Sequence, residues 1–403
     1  MRQSLPMTSK SLVRLIASSA DAMIDFAARL IAIPTENPPG AAYTAFVETA
    51  AAELEHLGLA SELLPIPGQA QARCLRAFHG PGRRTLYFHG HYDVVPAADP
   101  AQFRPERRGD DLFGRGSADM KAGLAAMIYA VKAIKDSSLS LQGRVGLLLV
   151  PDEETGGARG SRPLVSAGIL GANGIGMLTP EPSGGTIWNA SRGAFSLRVT
   201  VKGKAAHVGL HFEGVNAFEG MLDVAARLRE LQLQVETHTT GYRITPDVAR
   251  RSILLLGGVC SGGTNFNVVP DSVSFSIDRR INPEENFEME KAHLLACLEE
   301  ATRAGLNLET EILQEGRPAG FSEDEPLVQA LARSVETVTG RVPRVELCPG
   351  LLETRYYAER SVPALAYGPG RLSVAHGSRE SVSVKDVQDC ATIYALTAAE
   401  ILA

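Results

Sequence analysis

The sequence predicts an α/β fold in which a sheet is covered by helices on both faces, interrupted by a smaller α+β unit. Three observations carry this. The first half of the chain alternates short apolar runs with segments of helical periodicity. Near residue 190 the pattern changes to a period of two. After about residue 315 the helix–strand alternation returns.

Residues 42–57 are rich in Ala and Glu, and Gly58 follows as a helix C-cap. Strands are expected at 73–79, 84–89, 144–150 and 174–179. A helix is expected at 119–135, where Met120, Leu124, Met127, Ile128 and Val131 recur at helical spacing. Such alternation argues for a sheet with helices on both sides. In 194–202, Phe195, Leu197, Val199 and Val201 alternate with Ser196, Arg198, Thr200 and Lys202, as in a sheet with one wet face. A helix fits 215–232, strands fit 252–258 and 272–280, a helix fits 285–303 and a strand fits 308–314. The order β-α-β-β-α-β is that of a ferredoxin-like unit. A final helix is expected near 386–402. The chain therefore divides into 1–190, 191–314 and 315–403, the middle part being an insertion joined by two crossings. That arrangement permits hinge motion.

A length of 403 residues allows more than one domain. The net charge of −6, with acids and bases mixed along the chain, leaves no electrostatic footprint for nucleic acid or an anionic membrane. No apolar run approaches the roughly 20 residues of a membrane span; the longest, 145–150, suits a buried strand. Arg14 and Asp21 interrupt the mildly apolar N-terminal stretch, which makes a poor signal peptide, so a cytoplasmic location is expected. Cys74, Cys260, Cys297, Cys348 and Cys390 are far apart and form no CxxC pair. They imply neither a disulfide framework nor a thiolate zinc site, and are expected as buried, reduced thiols.

Histidines and acids gather at the predicted strand ends. His91 and Asp93 follow Thr85-Leu86-Tyr87-Phe88. Asp119 follows the glycine-rich Gly114-Arg115-Gly116-Ser117. Asp152, Glu153 and Glu154 follow the apolar strand ending at Val150, and Glu181 follows Gly176-Met177-Leu178. His376 comes after Gly368-Pro369-Gly370. In open α/β sheets ligands bind beyond the carboxyl ends of strands. Singly, each residue has a plain structural reading: a packed histidine, a solvated acidic run, an aspartate N-cap. Jointly they point to a metal site, because three adjacent acids after a buried strand repel one another unless a cation or water offsets them. Imidazole and carboxylate ligands suit zinc, with cobalt or manganese as alternatives.

The segments His89-Gly90-His91-Tyr92-Asp93-Val94-Val95-Pro96, Gly114-Arg115-Gly116-Ser117-Ala118-Asp119-Met120-Lys121-Ala122-Gly123, Asp152-Glu153-Glu154-Thr155-Gly156-Gly157, Glu181-Pro182 and Ala375-His376-Gly377 occur in an order that resembles the M20 metallopeptidase family. That family includes acetylornithine deacetylase, succinyl-diaminopimelate desuccinylase, aminoacylase and glutamate carboxypeptidase. The resemblance spans nearly the whole chain. It implies a three-layer zinc-peptidase-like catalytic domain with an inserted ferredoxin-like α+β lid and dimerisation domain. It implies two divalent metal ions, zinc first. His91, Asp119 and Glu181 would ligate one, and Asp119, Glu154 and His376 the other, with Asp119 bridging. Asp93 would orient the His91 ring, Glu153 would be the general base, and the Asp119–Met120 peptide would be cis. His89 would be a packed neighbour.

The resemblance further implies that His207, in Gly203-Lys204-Ala205-Ala206-His207, reaches the active site of a partner subunit as an oxyanion donor, which requires a homodimer. Substrate contacts would come from Asn267, Arg280, Arg355 and Gly368. An arginine holds a carboxylate through paired hydrogen bonds; structural ion pairs are the alternative reading of Arg280 and Arg355. Relatives usually carry aspartate where this chain has Glu353, one methylene longer, which puts the geometry of the Arg355 anchor in question. Glutamate at 181 leans toward deacylases and carboxypeptidases. The expected activity is hydrolysis of the amide bond of an N-acyl amino acid. A carboxypeptidase or dipeptidase is the alternative within the same chemistry, and a non-catalytic small-acid-binding relative the alternative outside it.

Overall fold

The computed structural model describes residues 7–403. The chain falls into two compact units. One comprises Met1–Asn189, Phe321–Glu346 and Glu353–Ala403; the other comprises Ala190–Gly320 and Leu347–Leu352.

The first unit is built on a sheet whose strands lie in the order Ser61–Ile66, Gln69–His79, Arg144–Val150, Thr85–His91, Gly174–Thr179, Ala364–Ala366 and Ile187–Ser191. The four from Arg144–Val150 to Ala364–Ala366 are mutually parallel. Their carboxyl ends therefore open on one edge. Thr85–His91 is buried along its whole length, which requires cover on both faces. Phe88 packs edge-on against Tyr394 at 4.8 Å between ring centroids. Tyr87 and His89, pointing the other way, both meet Tyr357 at 5.6 and 5.4 Å. Gly90 shares the Phe88 face, where a Cβ would lie 2.5 Å from Leu124 Cδ2, so only glycine lets the helix come this close. That helix, Ala122–Asp136, packs against Ala20–Ile31 and Val384–Leu402.

The expected helix at 119–135 begins later than its periodicity suggests. Ser117–Lys121 is a wide turn with non-helical backbone at Asp119 and Met120 and a cis Asp119–Met120 peptide; regular helix starts at Ala122. Two features escape the sequence pattern. Ser61–Ile66 is a mostly exposed edge strand whose register shifts at Pro65, and an exposed edge needs no apolar alternation. A small sheet of Glu106–Arg108, Asp111–Phe113 and Ser381–Ser383 is made of strands three residues long.

The second unit has an antiparallel sheet in the order Ile253–Gly262, Ser272–Ile281, Gly193–Lys202, Asn307–Gly316. Helices Ala217–Val235 and Phe287–Arg303 pack with it, each opened by an asparagine cap: Asn216 accepts from the Phe218 amide and Asn286 from the Met289 amide. This is the ferredoxin-like order. Phe195, Leu197, Val199 and Val201 are all buried, as their alternation requires. The unit extends to Gly320, beyond the expected limit of 314, because Asn307–Gly316 is followed by a short pairing of Ala319–Gly320 with Ala190 and Ser191. The chain also returns to this unit at Leu347–Leu352, where Leu347 packs with Ala190 and Ile244 and its amide donates to Arg243 O at 2.7 Å. It thus crosses four times, not two.

All five cysteines are free. Cys74, Cys348 and Cys390 are buried as expected, but Cys297 is only half-buried and Cys260 is exposed on the edge strand Ile253–Gly262, just past its register shift.

Phe88 is fully buried against Tyr394 in the central strand. Phe88→Ala is expected to lower the unfolding free energy by about 3–5 kcal/mol, measured as a shift in the urea midpoint with the slope unchanged.

Candidate metal centre

The carboxyl edge of the parallel strands gathers seven of the sequence-predicted residues: His91, Asp93, Asp119, Glu153, Glu154, Glu181 and His376. Two sets of ligand atoms each lie within 4.8 Å of one another: His91, Asp119 and Glu181, and Asp119, Glu154 and His376. Asp119 belongs to both. Its Oδ1 is 3.1 Å from His91 Nε2 and its Oδ2 is 3.3 Å from His376 Nε2. Glu154 Oε2 is 3.2 Å from the same His376 nitrogen. Glu153 Oε2 stands 4.0 Å from His91 Nε2.

The His91 ring is oriented by Asp93 through its backbone. Nδ1 lies 3.0 Å from the Asp93 carbonyl and 3.4 Å from its carboxylate. The carbonyl can only accept, so Nδ1 carries a proton, and Nε2 is the nitrogen left to face a metal. The Asp93 carboxylate has another task as well. It accepts the amides of Glu153 and Glu154, each at 3.1 Å, and the Asn37 side chain at 2.8 Å.

Other residues that hold this geometry were given no role of their own by the sequence. Asn37 also reaches Asp152 Oδ1 at 3.2 Å. Asp152, in the left-handed region at φ 77°, accepts from Thr155 Oγ1 and the Arg159 amide, both at 2.6 Å, and so closes the acidic turn on itself. Glu380 accepts the amides of Ala118 and Asp119 at 2.9 and 3.1 Å and pairs with Arg115 at 2.6 Å. Arg115 in turn donates to the carbonyls of His376 and Gly377. One buried ion pair thus holds Asp119 and His376 together. Its sign in the sequence is Arg115 within the glycine-rich segment; Glu380 carries none.

The electrostatics fit a cationic occupant. Burial and the charges of Asp119, Glu153 and Glu154 push Glu181 well above the ordinary carboxyl value. Burial, then Glu154, Glu353 and Asp119, push Glu153 up to about 8 against the relief from His91. Burial works against a charged His91, but its contacts with Asp119 and Asp93 outweigh it and raise the ring well above 6.5. Contacts with Asp119 and Glu154 raise His376 to about 10. Protons stand in for missing positive charge, and dications at these donors would replace them. A contrasting cluster, His238, Glu285 and Glu290, has similar spacing, but the Arg279 guanidinium already bridges both glutamates at 2.7 Å, where a metal ion would have to sit.

The remaining predicted residues lie as follows. Gly368 is buried, and its Cβ would strike the carbonyls of Pro180 and Glu181, so only glycine fits against the strand end that carries Glu181. Arg355 is buried; it donates to Gly156 O at 2.7 Å and to the Tyr356 hydroxyl at 2.9 Å. In the second unit His207 is exposed and Asn267 half-buried. The short pairing of Ala206–His207 with Val268–Val269 brings them together, and Val208 N donates to Asn267 O at 3.0 Å. Arg280 pairs with Asp278 at 3.0 Å.

Two imidazole–carboxylate triads sharing one aspartate, with a further glutamate beside them, define a metal-dependent hydrolase. The sequence profile of peptidase family M20/M25/M40 matches residues 87–400, and the chain belongs to that family. It is 28% identical over 395 residues to a succinyl-diaminopimelate desuccinylase from Xylella fastidiosa (strain 9a5c), covering 94% of this chain and 99% of that one. A metallo-carboxypeptidase of family M20 from Sulfolobus solfataricus has the same fold at a TM-score of 0.80 and 16% identity, over 94% of this chain and 99% of that one. So does a dinuclear metal-binding M20 peptidase from Bacillus subtilis, with a TM-score of 0.67 and 16% identity over 96% and 99%. The chain is a metal-dependent hydrolase of amide bonds.

Metal loading is expected to release protons, because Glu181, His91 and His376 all hold their protons more tightly than the free side chains do. Calorimetric titration with zinc in buffers of different ionisation enthalpy measures this. Glu153 and His376 both have folded values above their ordinary ones, about 8 against 4.5 and about 10 against 6.5. Their stabilising contributions are full below the ordinary value and lost as pH rises through the folded one. Zinc should therefore raise the thermal midpoint more at pH 8 than at pH 5.

Proposed function

We propose that this protein is a two-metal amidohydrolase, with zinc as its metal, that removes the acyl group from an N-acylated amino acid. The observation that carries this is the pair of triads sharing Asp119 with Glu153 standing 4.0 Å from His91. The near full-length similarity to a desuccinylase supports a deacylase over a carboxypeptidase or dipeptidase. Retention of every ligand and of Glu153 argues against a non-catalytic binding role.

Divalent ions held by the two triads would polarise the amide carbonyl and lower the pKa of water toward neutrality. Glu153 takes the proton of the attacking water and returns it to the leaving nitrogen. Its environment suits both directions: burial and neighbouring carboxylates hold it near neutrality, while the backbone on either side of it is fixed. Gly368 keeps the Glu181 strand end closely packed. His207 accepts the Gly209 amide at Nδ1, 3.1 Å away, so the ring proton is on Nε2. That exposed N–H is the donor we assign to the oxyanion, reaching the site of a second copy. Asn267, beside it, is assigned to the substrate, as is Arg280.

A homodimer is the proposed assembly. Support comes from Val208, Phe212, Phe218, Leu255 and Val259, which are exposed apolar residues of the second unit. The last two lie on Ile253–Gly262, the edge of its sheet.

Zinc-loaded protein is expected to turn over members of a panel of N-acetyl and N-succinyl amino acids faster than dipeptides. Glu153→Gln should lower kcat by about 10²–10⁴-fold with metal content unchanged. Full activity in that variant would refute the mechanism. Mixing inactive Glu153→Gln and His207→Ala proteins should restore turnover if His207 acts on a second copy; a mixture as inactive as its components would remove that assignment.

A further inference from the structure

The acidic turn has a second support besides Asp93. Glu153–Thr155 is a single tight turn between three left-handed residues, Asp152, Gly156 and Gly157. The Gly156 amide donates to Glu153 O at 2.7 Å. The Gly156 carbonyl, on the far side of the same residue, takes two donors: Arg355 Nη2 at 2.7 Å and the Tyr356 hydroxyl at 3.2 Å. Arg355 also stacks its guanidinium over the Tyr356 ring at 4.2 Å and donates to its hydroxyl. Gly157 is cradled so closely that a Cβ would lie 2.8 Å from the Tyr356 hydroxyl and 2.9 Å from Glu353 Oε1.

Glu353 ties this support back to the strand that delivers His91. Its Oε2 is 2.6 Å from His89 Nε2, and His89 Nδ1 is 3.2 Å from the Tyr357 hydroxyl. One assignment satisfies both: His89 donates to the carboxylate and accepts from the tyrosine. All three side chains are fully buried. Burial opposes a charged Glu353, but His89 and Arg355 outweigh it and keep its carboxyl below the ordinary range. The contacts close a ring. It runs from Thr85–His91 through His89 to Glu353, along Thr354–Ala358 to Gly156, then through Glu153 to Asp93 and the strand again.

We propose that His89, Glu353, Arg355 and Tyr356 form a buried brace that fixes Glu153 relative to His91, and that Arg355 is a positioning residue instead of an anchor for the substrate carboxylate. The inference rests on the reading of Glu153 as the base. A misplacement of about 1 Å at a reacting group costs roughly 10²-fold in rate, which is the scale of effect a brace controls. The extra methylene of Glu353 belongs to this ring: the glutamate spans from the helix start to His89 while still flanking Gly157.

The test compares wild type, Arg355→Lys and the milder Tyr356→Phe, all zinc-loaded with metal content measured. Amide hydrogen exchange in the peptide 151–160 needs no substrate. It is expected to quicken at least ten-fold in Arg355→Lys and less in Tyr356→Phe, with exchange in the rest of the first unit unchanged. In turnover, kcat should fall about 10–100-fold with KM within two-fold, equally for a substrate and for its analogue with the carboxylate replaced by an amide. Unchanged exchange in 151–160 overturns the brace, as does a loss confined to KM for carboxylate-bearing substrates. If the wild type hydrolyses no acylated amino acid, the proposed function fails, and the exchange measurement alone decides the brace.

Discussion

Crowding of like charge at one edge of the sheet is the constraint on which the rest depends. Asp93, Asp119, Glu153, Glu154 and Glu181 converge with only two imidazoles between them. In water such a group would disperse; here parallel strands fix where each backbone ends. The architecture concentrates negative charge before any ligand arrives, and the energy of that concentration is recovered when cations bind. The sheet can bear it because its strands are apolar on both faces and tightly covered.

The surroundings show how each carboxylate is kept in place. Asp93 is satisfied by backbone amides and Asn37, so it serves as a frame for the turn that follows Val150. Glu380 does the same for the turn at Asp119. Both frames use a carboxylate to accept consecutive N–H groups, which are the natural partners of an anion where a chain reverses. His376 sits in the left-handed region at φ 63°, uncommon for a residue other than glycine and held here by its neighbours. Arg115 donating to its carbonyl is one such neighbour.

The fold was largely legible because its signals are local. Continuous apolar runs marked Arg144–Val150 and Gly174–Thr179, and strict alternation marked Gly193–Lys202. Part of the ligand set was legible for a similar reason: His91 ends a strand, and Glu154 and Glu181 follow theirs within four residues, whereas Asp119 and His376 lie farther on. What was not legible depends on pairs far apart in the chain. Glu380 and Arg115 are 265 residues apart and His89 and Glu353 264. No periodicity links them, and either member alone resembles an ordinary charged residue. Arg355 illustrates the limit. Its motif resembled an anchor for substrate, yet its position is buried and its hydrogen bonds to Gly156 and Tyr356 are internal. The return of Leu347–Leu352 to the second unit was invisible because six residues carry too little pattern.

The two triads differ in their access to solvent. His91, Asp119 and Glu181 are all buried, whereas His376 is half exposed. An ion at the second triad would meet water and chelators through His376, while one at the first would leave only after Asp119 and its neighbours had given way. With Asp119 shared by two ions, loss of the outer one would return a full carboxylate to the inner one and tighten it. The centre should therefore empty in sequence, with a long-lived state holding a single ion. The first phase of metal loss would report on the outer position alone.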